Sequence, residues 1–92
     1  MSDLRELEAM ALEAQKQGQY DRAIEFWSQL LGEAPSWESG YAHYYLADCY
    51  LRSGQVALAE KAYREAISIS PGDTLFSDAL TSLQDAKRAG YV

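Results

Sequence analysis

His43 and Cys49 each occur once in this 92-residue chain. A tetrahedral metal site built on them would lack its remaining ligands, and a Cys-His nucleophile would lack the group that orients the imidazole. Serine, aspartate and glutamate are plentiful, but none sits in a nucleophile elbow or a phosphate-cradling glycine loop. The sequence therefore points to no catalytic residue, no metal and no cofactor. What it offers instead is contact chemistry. Tyr41, Tyr44 and Tyr45 fall within one short segment, and tyrosine combines a large apolar face with a hydroxyl while losing little entropy when fixed against a partner. Three so close suggest a contact surface, with Tyr44 the strongest single candidate; the other use of each ring is packing on flanking helices, the role expected for Tyr50 and Tyr63. Lys16, Arg52 and Arg88 recur at intervals of 36 residues. They would make a short basic ladder attractive to an acidic peptide, or simply complement the dipole in the last turn of three helices.

The elements that position these side chains follow from an internal repeat. Gly18, Ala23 and Pro35 return as Gly54, Ala59 and Pro71, 36 residues on, and an aromatic, Trp27 or Tyr63, stands four residues past each alanine. A period of that size means stacked helical hairpins. Leu4, Leu7, Ala11 and Ala14 form the stripe of a first helix running from Leu4 to Gln17, with Asp3 and Glu6 as its cap, and Gly18 ends it. Ala23, Ile24, Trp27, Leu30 and Leu31 line the second, which Pro35 stops. The third starts near Ser36 to Glu38 and runs to Gly54. Ala59, Ala62, Tyr63, Ala66 and Ile67 line the fourth as far as Pro71, and Asp73 or Thr74 caps the fifth. Gly90 continues the series, so residues 74–89 read as the first helix of an unfinished third unit. The small residues Ala11, Ala23, Ala47 and Ala59 let helix backbones approach closely. The chain is all-α with five helices and no strand pattern.

Eight basic and fourteen acidic side chains give a net charge of −6, which opposes the polyanionic backbone of nucleic acid. A single cysteine forms no intramolecular disulfide, and no basic start leads into an apolar run, so neither a membrane span nor a secretory signal is expected and the cytoplasm is the default compartment. The length suits one small folding unit.

These residues resemble the tetratricopeptide repeat family. The second unit fits its signature through His43, Leu46, Ala47, Tyr50, Gly54, Ala59, Tyr63, Ala66 and Pro71; the first fits through Leu7, Met10, Ala11, Ala14, Gly18, Tyr20, Ala23, Trp27, Leu30 and Pro35. In that signature His43 takes a large-residue slot and Cys49 a small interhelical one. The resemblance implies antiparallel helical hairpins stacked as a short right-handed α-solenoid: repeat one over 4–37, repeat two over 38–72 and a capping helix over 73–90, within a single domain spanning 1–92. The family's usual period is 34 residues, so each connection, after Pro35 and after Pro71, is expected to hold two extra residues.

The resemblance further implies that the first helices line a concave groove holding a peptide or helix of a partner. By position the groove would take Arg5, Glu8, Ala9, Leu12, Gln15 and Lys16, then Tyr41, Tyr44, Tyr45, Asp48, Leu51 and Arg52, then Ser77, Leu80, Thr81, Gln84, Lys87 and Arg88. The binding candidates are Tyr41, Tyr44, Tyr45, Asp48, Arg52, Leu12, Glu8 and Lys16. The lysine and asparagines with which some members grip a C-terminal carboxylate are replaced here by Glu8, Leu12 and Tyr45. A mid-thirties period also fits the pentatricopeptide family, which reads single-stranded RNA, but the acidic balance and the alanine, aromatic, proline pattern favour the first resemblance. The expected function is a non-catalytic, monomeric module binding a protein or peptide. The alternative is a structural or self-associating module, or a segment of a longer repeat protein, in which Phe76, Leu80 and Leu83 present an apolar face to a second copy or to further repeats. The polar Ser77, Asp78, Thr81, Ser82, Asp85 and Lys87 favour a cap instead.

Overall fold

The first and last helices begin at carboxylate caps, whereas the three α-helices between them start without a side-chain cap. In a computed structural model that describes residues 3–92, the carboxylates of Asp3 and Asp73 accept hydrogen bonds from the backbone N–H groups of Arg5 and Leu75, both at 3.0 Å. They start α1 (Leu4–Lys16) and α5 (Thr74–Ala89). Between these lie α2 (Tyr20–Glu33), α3 (Tyr41–Arg52) and α4 (Val56–Ile69), with no strand among the described residues. Gly18 and Gly54 end α1 and α3 at φ of 77° and 82°. Each allows the following N–H, of Gln19 or Gln55, to reach back at 2.8 Å to the carbonyl of Ala14 or Tyr50 and close a Schellman cap.

Consecutive helices pack on one another, α1 on α2, α2 on α3, α3 on α4 and α4 on α5. The result is a two-layer slab with extents of 44 × 28 × 17 Å. Its interior forms two clusters. Leu7, Ala11, Ala14, Ala23, Trp27, Leu30, Leu46 and Cys49 make the first, while Ala47, Ala59, Ala62, Tyr63 and Leu83 make the second. Tyr50 packs against both. Ala11, Ala23, Ala47 and Ala59 have no accessible surface at all, as their role at close helix contacts requires.

The third helix does not start at Ser36 to Glu38. A short 3₁₀ turn, Trp37–Gly40, intervenes, in which Glu38 and Ser39 take the left-handed conformation at φ 56° and 53°, and α3 begins at Tyr41. Gly40 follows at φ 100°, and a Cβ there would stand 3.0 Å from both the Ala66 carbonyl oxygen and Cε2 of Phe76. Only glycine fits such a crossing. The turn is pinned by the Ser70 hydroxyl, which donates to the Ser39 carbonyl at 2.7 Å.

The connection after Pro71 differs. Residues 70–73 make a tight turn, and the chain enters α5 at once. The two extra residues therefore belong to the first connection alone, and the spacing from α3 to α5 is 34 residues, not 36. Burial shows this directly. Ala42, Tyr45, Leu46 and Cys49 face the first cluster; the residues 34 positions further, Phe76, Ala79, Leu80 and Leu83, are the ones α5 turns inward. Gly90 thus matches Gly54 in sequence but not in place, because α5 runs longer than α3.

The same shift decides what α5 shows outward. Tyr44, Ala47, Tyr50 and Leu51 meet the second cluster through α4; their counterparts 34 residues on are Asp78, Thr81, Gln84 and Asp85, none of them buried. Phe76 and Leu83, at 0% and 4% exposure, are covered within the chain. Of the expected apolar face, Phe76 and Leu83 are thus spent within the chain and Leu80 is half-buried, while Asp78, Thr81, Gln84 and Asp85 make a polar side of α5.

Candidate functional site

On α3 the three tyrosines form the middle of an aromatic strip. Tyr45 stacks on Trp27 with ring centroids 5.5 Å apart and planes 20° from parallel. Tyr44 lies 5.7 Å from Tyr45 and 5.6 Å from Phe76, and Tyr41 meets Phe76 edge-on at 5.1 Å. Trp27, Tyr63 and Phe76 are buried, whereas Tyr41, Tyr44 and Tyr45 are half-buried. Each of the three therefore packs on its neighbours with part of its ring and leaves the rest open to solvent.

Charge borders the strip. The carboxylate of Asp73 beside Tyr41 raises that phenol's pKa, with burial adding to it. Burial raises that of Tyr44, helped by Asp48. Both shifts keep Tyr41 and Tyr44 as neutral phenols over the ordinary pH range.

At the other end of α3 a polar relay ties three helices together. The Trp27 indole Nε1 donates to Gln15 Oε1 at 3.2 Å, Gln15 Nε2 donates to Asp48 at 3.5 Å, and Arg52 Nε donates to the same carboxylate oxygen at 3.1 Å. The Arg52 guanidinium lies 5.8 Å from the centre of the Tyr20 ring. Around this relay opens a cleft of about 360 Å³ lined by Leu12, Gln15, Lys16, Tyr20, Asp48 and Arg52. Four of the sequence candidates, Leu12, Lys16, Asp48 and Arg52, come together there.

Glu8 has a different use: its carboxylate accepts a hydrogen bond from the Trp37 indole Nε1, which seats the α2–α3 turn against α1. Trp37 was not legible as part of this region, since a helix starting near Ser36 would have pointed it elsewhere.

The 34-residue spacing also corrects the groove positions expected on α5. Leu80 packs against the second cluster, and Lys87 is engaged by Glu60 at 2.7 Å. Arg88 is not a third rung above Lys16 and Arg52; it pairs with Asp85 at 3.3 Å and lines a separate opening with Glu60, Arg64, Gln84 and Lys87. Two residues of offset turn a helical side chain by about 200°, to the far side of the helix. The position equivalent to Tyr41 is Leu75, a leucine left 41% exposed.

His43 and Cys49 both have structural surroundings. His43 Nε2 carries the proton and donates to the Pro35 carbonyl at 3.0 Å, tying α3 to the turn before it. Cys49 is wholly buried, and burial pushes its thiol pKa up to about 12, far from the thiolate that nucleophilic chemistry requires. Among the described residues no three His, Cys, Asp or Glu side chains converge as a metal site, and no helix is long and apolar enough to cross a membrane.

No curated protein matches the chain in sequence. A family model does: that of the tetratricopeptide repeat, over residues 8–74.

Proposed function

The chain belongs to the tetratricopeptide repeat family, and from that premise we propose that residues 4–90 act as one interaction unit holding a partner's peptide or helix along α1, α3 and α5. Repeats of this family generally mediate protein–protein interaction and are generally non-catalytic. The observation that carries the proposal is the half-buried tyrosine strip on α3 lying beside the cleft of Leu12, Lys16, Asp48 and Arg52. Packing has already fixed the rotamers of these rings, so a partner covers them at little further entropic cost. Leu12 and Leu75 are 40% and 41% exposed and would supply apolar contact on the two flanking helices. The covering of Phe76 and Leu83 within the chain supports reading the unit as a monomer.

Replacing the tyrosines would be a poor test, because the same rings pack on Trp27, Tyr63 and Phe76. Leu12 and Leu75 are the better positions. Peptides selected from a random library on the wild-type chain should bind a Leu12→Ser, Leu75→Ser variant at least tenfold more weakly, with its circular dichroism unchanged. Equal affinity for both proteins would remove the groove from consideration.

A further inference from the structure

We propose that the opening between α4 and α5 is a second contact site, one that takes the aspartate or glutamate side chains of an acidic segment in a partner protein. It shares no residue with the tyrosine strip or its cleft and does not depend on the groove.

About 590 Å³ open there between Glu60, Arg64, Gln84, Lys87 and Arg88. Three of the chain's eight basic residues line it. The carboxylates paired with them are two, Glu60 and Asp85, so the cluster sums to +1 within a chain of net charge −6. Glu60 forms the floor. Its side chain is only 13% exposed and accepts a hydrogen bond from Lys87 Nζ at 2.7 Å, which ties α4 to α5. That bond, with the charges of Lys87 and Arg64, outweighs desolvation and holds the Glu60 carboxyl below the usual range. The two guanidiniums stand at the rim. Arg64 lies 3.8 Å from Glu60, too far for a hydrogen bond, and is 59% exposed; Arg88 is 78% exposed and meets the equally open Asp85 at 3.3 Å. Ion pairs as exposed as these contribute little. Both guanidiniums therefore keep N–H donors for an incoming carboxylate, whose two oxygens match the guanidinium fork.

Packing does not require these charges. The equivalent seam in the chain lies between α2 and α3. Ile24 and Ser28 stand 36 residues before Glu60 and Arg64, and Tyr50, Ser53 and Gly54 stand 34 before Gln84, Lys87 and Arg88. None of those five is charged, and Ile24 and Tyr50 pack on the first cluster. Lys87 and Arg88 also complement the dipole in the last turn of α5, but Arg64 is in the interior of α4, where no such use exists. Nucleic acid is the poorer occupant: the −7 carried by the rest of the chain repels a polyanion that extends beyond the opening, whereas a short acidic segment places its charge at the opening alone.

The test uses the full chain and two peptides of equal length, repeating Glu-Ala-Ser or Gln-Ala-Ser. Binding is measured by titration calorimetry at an ionic strength of about 0.15 M, where exposed charges more than about 8 Å away are largely screened. The glutamate peptide should bind at least tenfold more tightly than the glutamine peptide. An Arg64→Gln, Arg88→Gln variant, with its circular dichroism unchanged, should lose at least tenfold of that affinity. An Arg22→Gln, Lys61→Gln variant removes the same charge from exposed positions on α2 and α4, and should lose less than twofold.

Equal losses in the two variants would reduce the attraction to net charge and overturn the inference, as would a glutamate peptide that binds no better than the glutamine one. An oligothymidylate that binds more tightly than the glutamate peptide would assign the opening to nucleic acid instead. Loss of glutamate-peptide affinity in the Leu12→Ser, Leu75→Ser variant would put the acidic segment in the groove and overturn the inference too. The groove itself is judged by library peptides on those leucines, so either reading can fail without the other.

Discussion

The two connections between hairpins follow the same proline, yet they are built in opposite ways. After Pro35 the chain spends two residues, Glu38 and Ser39, in the left-handed region, and then needs a glycine at φ 100° to pass beneath the Phe76 ring. After Pro71 it turns within residues 70–73 and is capped by a carboxylate. At the position of Asp73, counted 36 residues back, stands Trp37. An indole accepts no backbone N–H, so the carboxylate cap that starts α5 has no counterpart there, and a 3₁₀ turn takes its place. Equal spacing in sequence therefore conceals an inserted loop in one place and a longer helix in the other. The two connections differ in a carboxylate cap at Asp73 and in the close backbone passage at Gly40.

That contrast can be broken most severely at Phe76, the ring on which the first connection rests and the first large apolar residue after the second. Phe76→Ala should cost about 3 to 5 kcal/mol in urea denaturation, since the ring is wholly buried. Next come the glycines of the two turns. Gly40→Ala should cost about 2 to 4 kcal/mol through its φ and through contact with the Ala66 carbonyl and Phe76. Gly72→Ala, with nothing within 4 Å of a new Cβ, should be neutral or stabilise by about 0.4 to 1 kcal/mol. Equal losses at the two sites would mean that the connections are alike after all.

Alkaline titration separates the two core clusters. Burial holds Cys49, in the first, and Tyr63, in the second, at pKa values of about 12, against ordinary values of 9.0 and 10.0. Both folded values lie above the unfolded ones. The stability is therefore fully present below pH 9 and is lost as pH rises, because the unfolded chain releases its protons first. Each group should steepen the loss by up to about 1.4 kcal/mol per pH unit, Cys49 beginning near pH 9 and Tyr63 near pH 10. Urea midpoints for a Cys49→Ala variant should show the earlier stage abolished and the later one intact.

Smaller effects sharpen the comparison at the caps. Asp73→Ala should cost about 1 kcal/mol while Asp73→Asn costs almost nothing, both read from thermal unfolding. Glu38→Gly should stabilise by about 0.5 kcal/mol, because glycine relieves the left-handed strain while giving back part of the gain as chain entropy. A destabilised Glu38→Gly protein would show that the turn adopts another conformation in solution.

The hairpins were legible because their signals are local. Apolar stripes, the glycines at 18 and 54 and the alanines at 11, 23, 47 and 59 each act through their own helix or the next one. The start of α3 was not legible, since it depends on Phe76 and Ala66 meeting Gly40 across the fold. The facing of α5 was missed for a related reason: Gly90 repeats a spacing that the burial of Phe76, Ala79, Leu80 and Leu83 does not follow. Among site residues, the nearness of Tyr41, Tyr44 and Tyr45 to one another was legible in the sequence, and the resemblance placed together Leu12, Lys16, Asp48 and Arg52, which line one cleft. The bond of Glu8 to Trp37 and the relay through Gln15 could not be read there, because both partners lie 12 or more residues apart and neither pairing leaves a periodic trace.

The polar outer side of α5 has a consequence for building with this fold. Any hairpin joined beyond Gly90 would meet Asp78, Thr81, Gln84 and Asp85 where a seam between repeats needs alanine and large apolar residues. Lengthening the array thus means rewriting one helix and not merely appending another, and those four side chains would be the first to change.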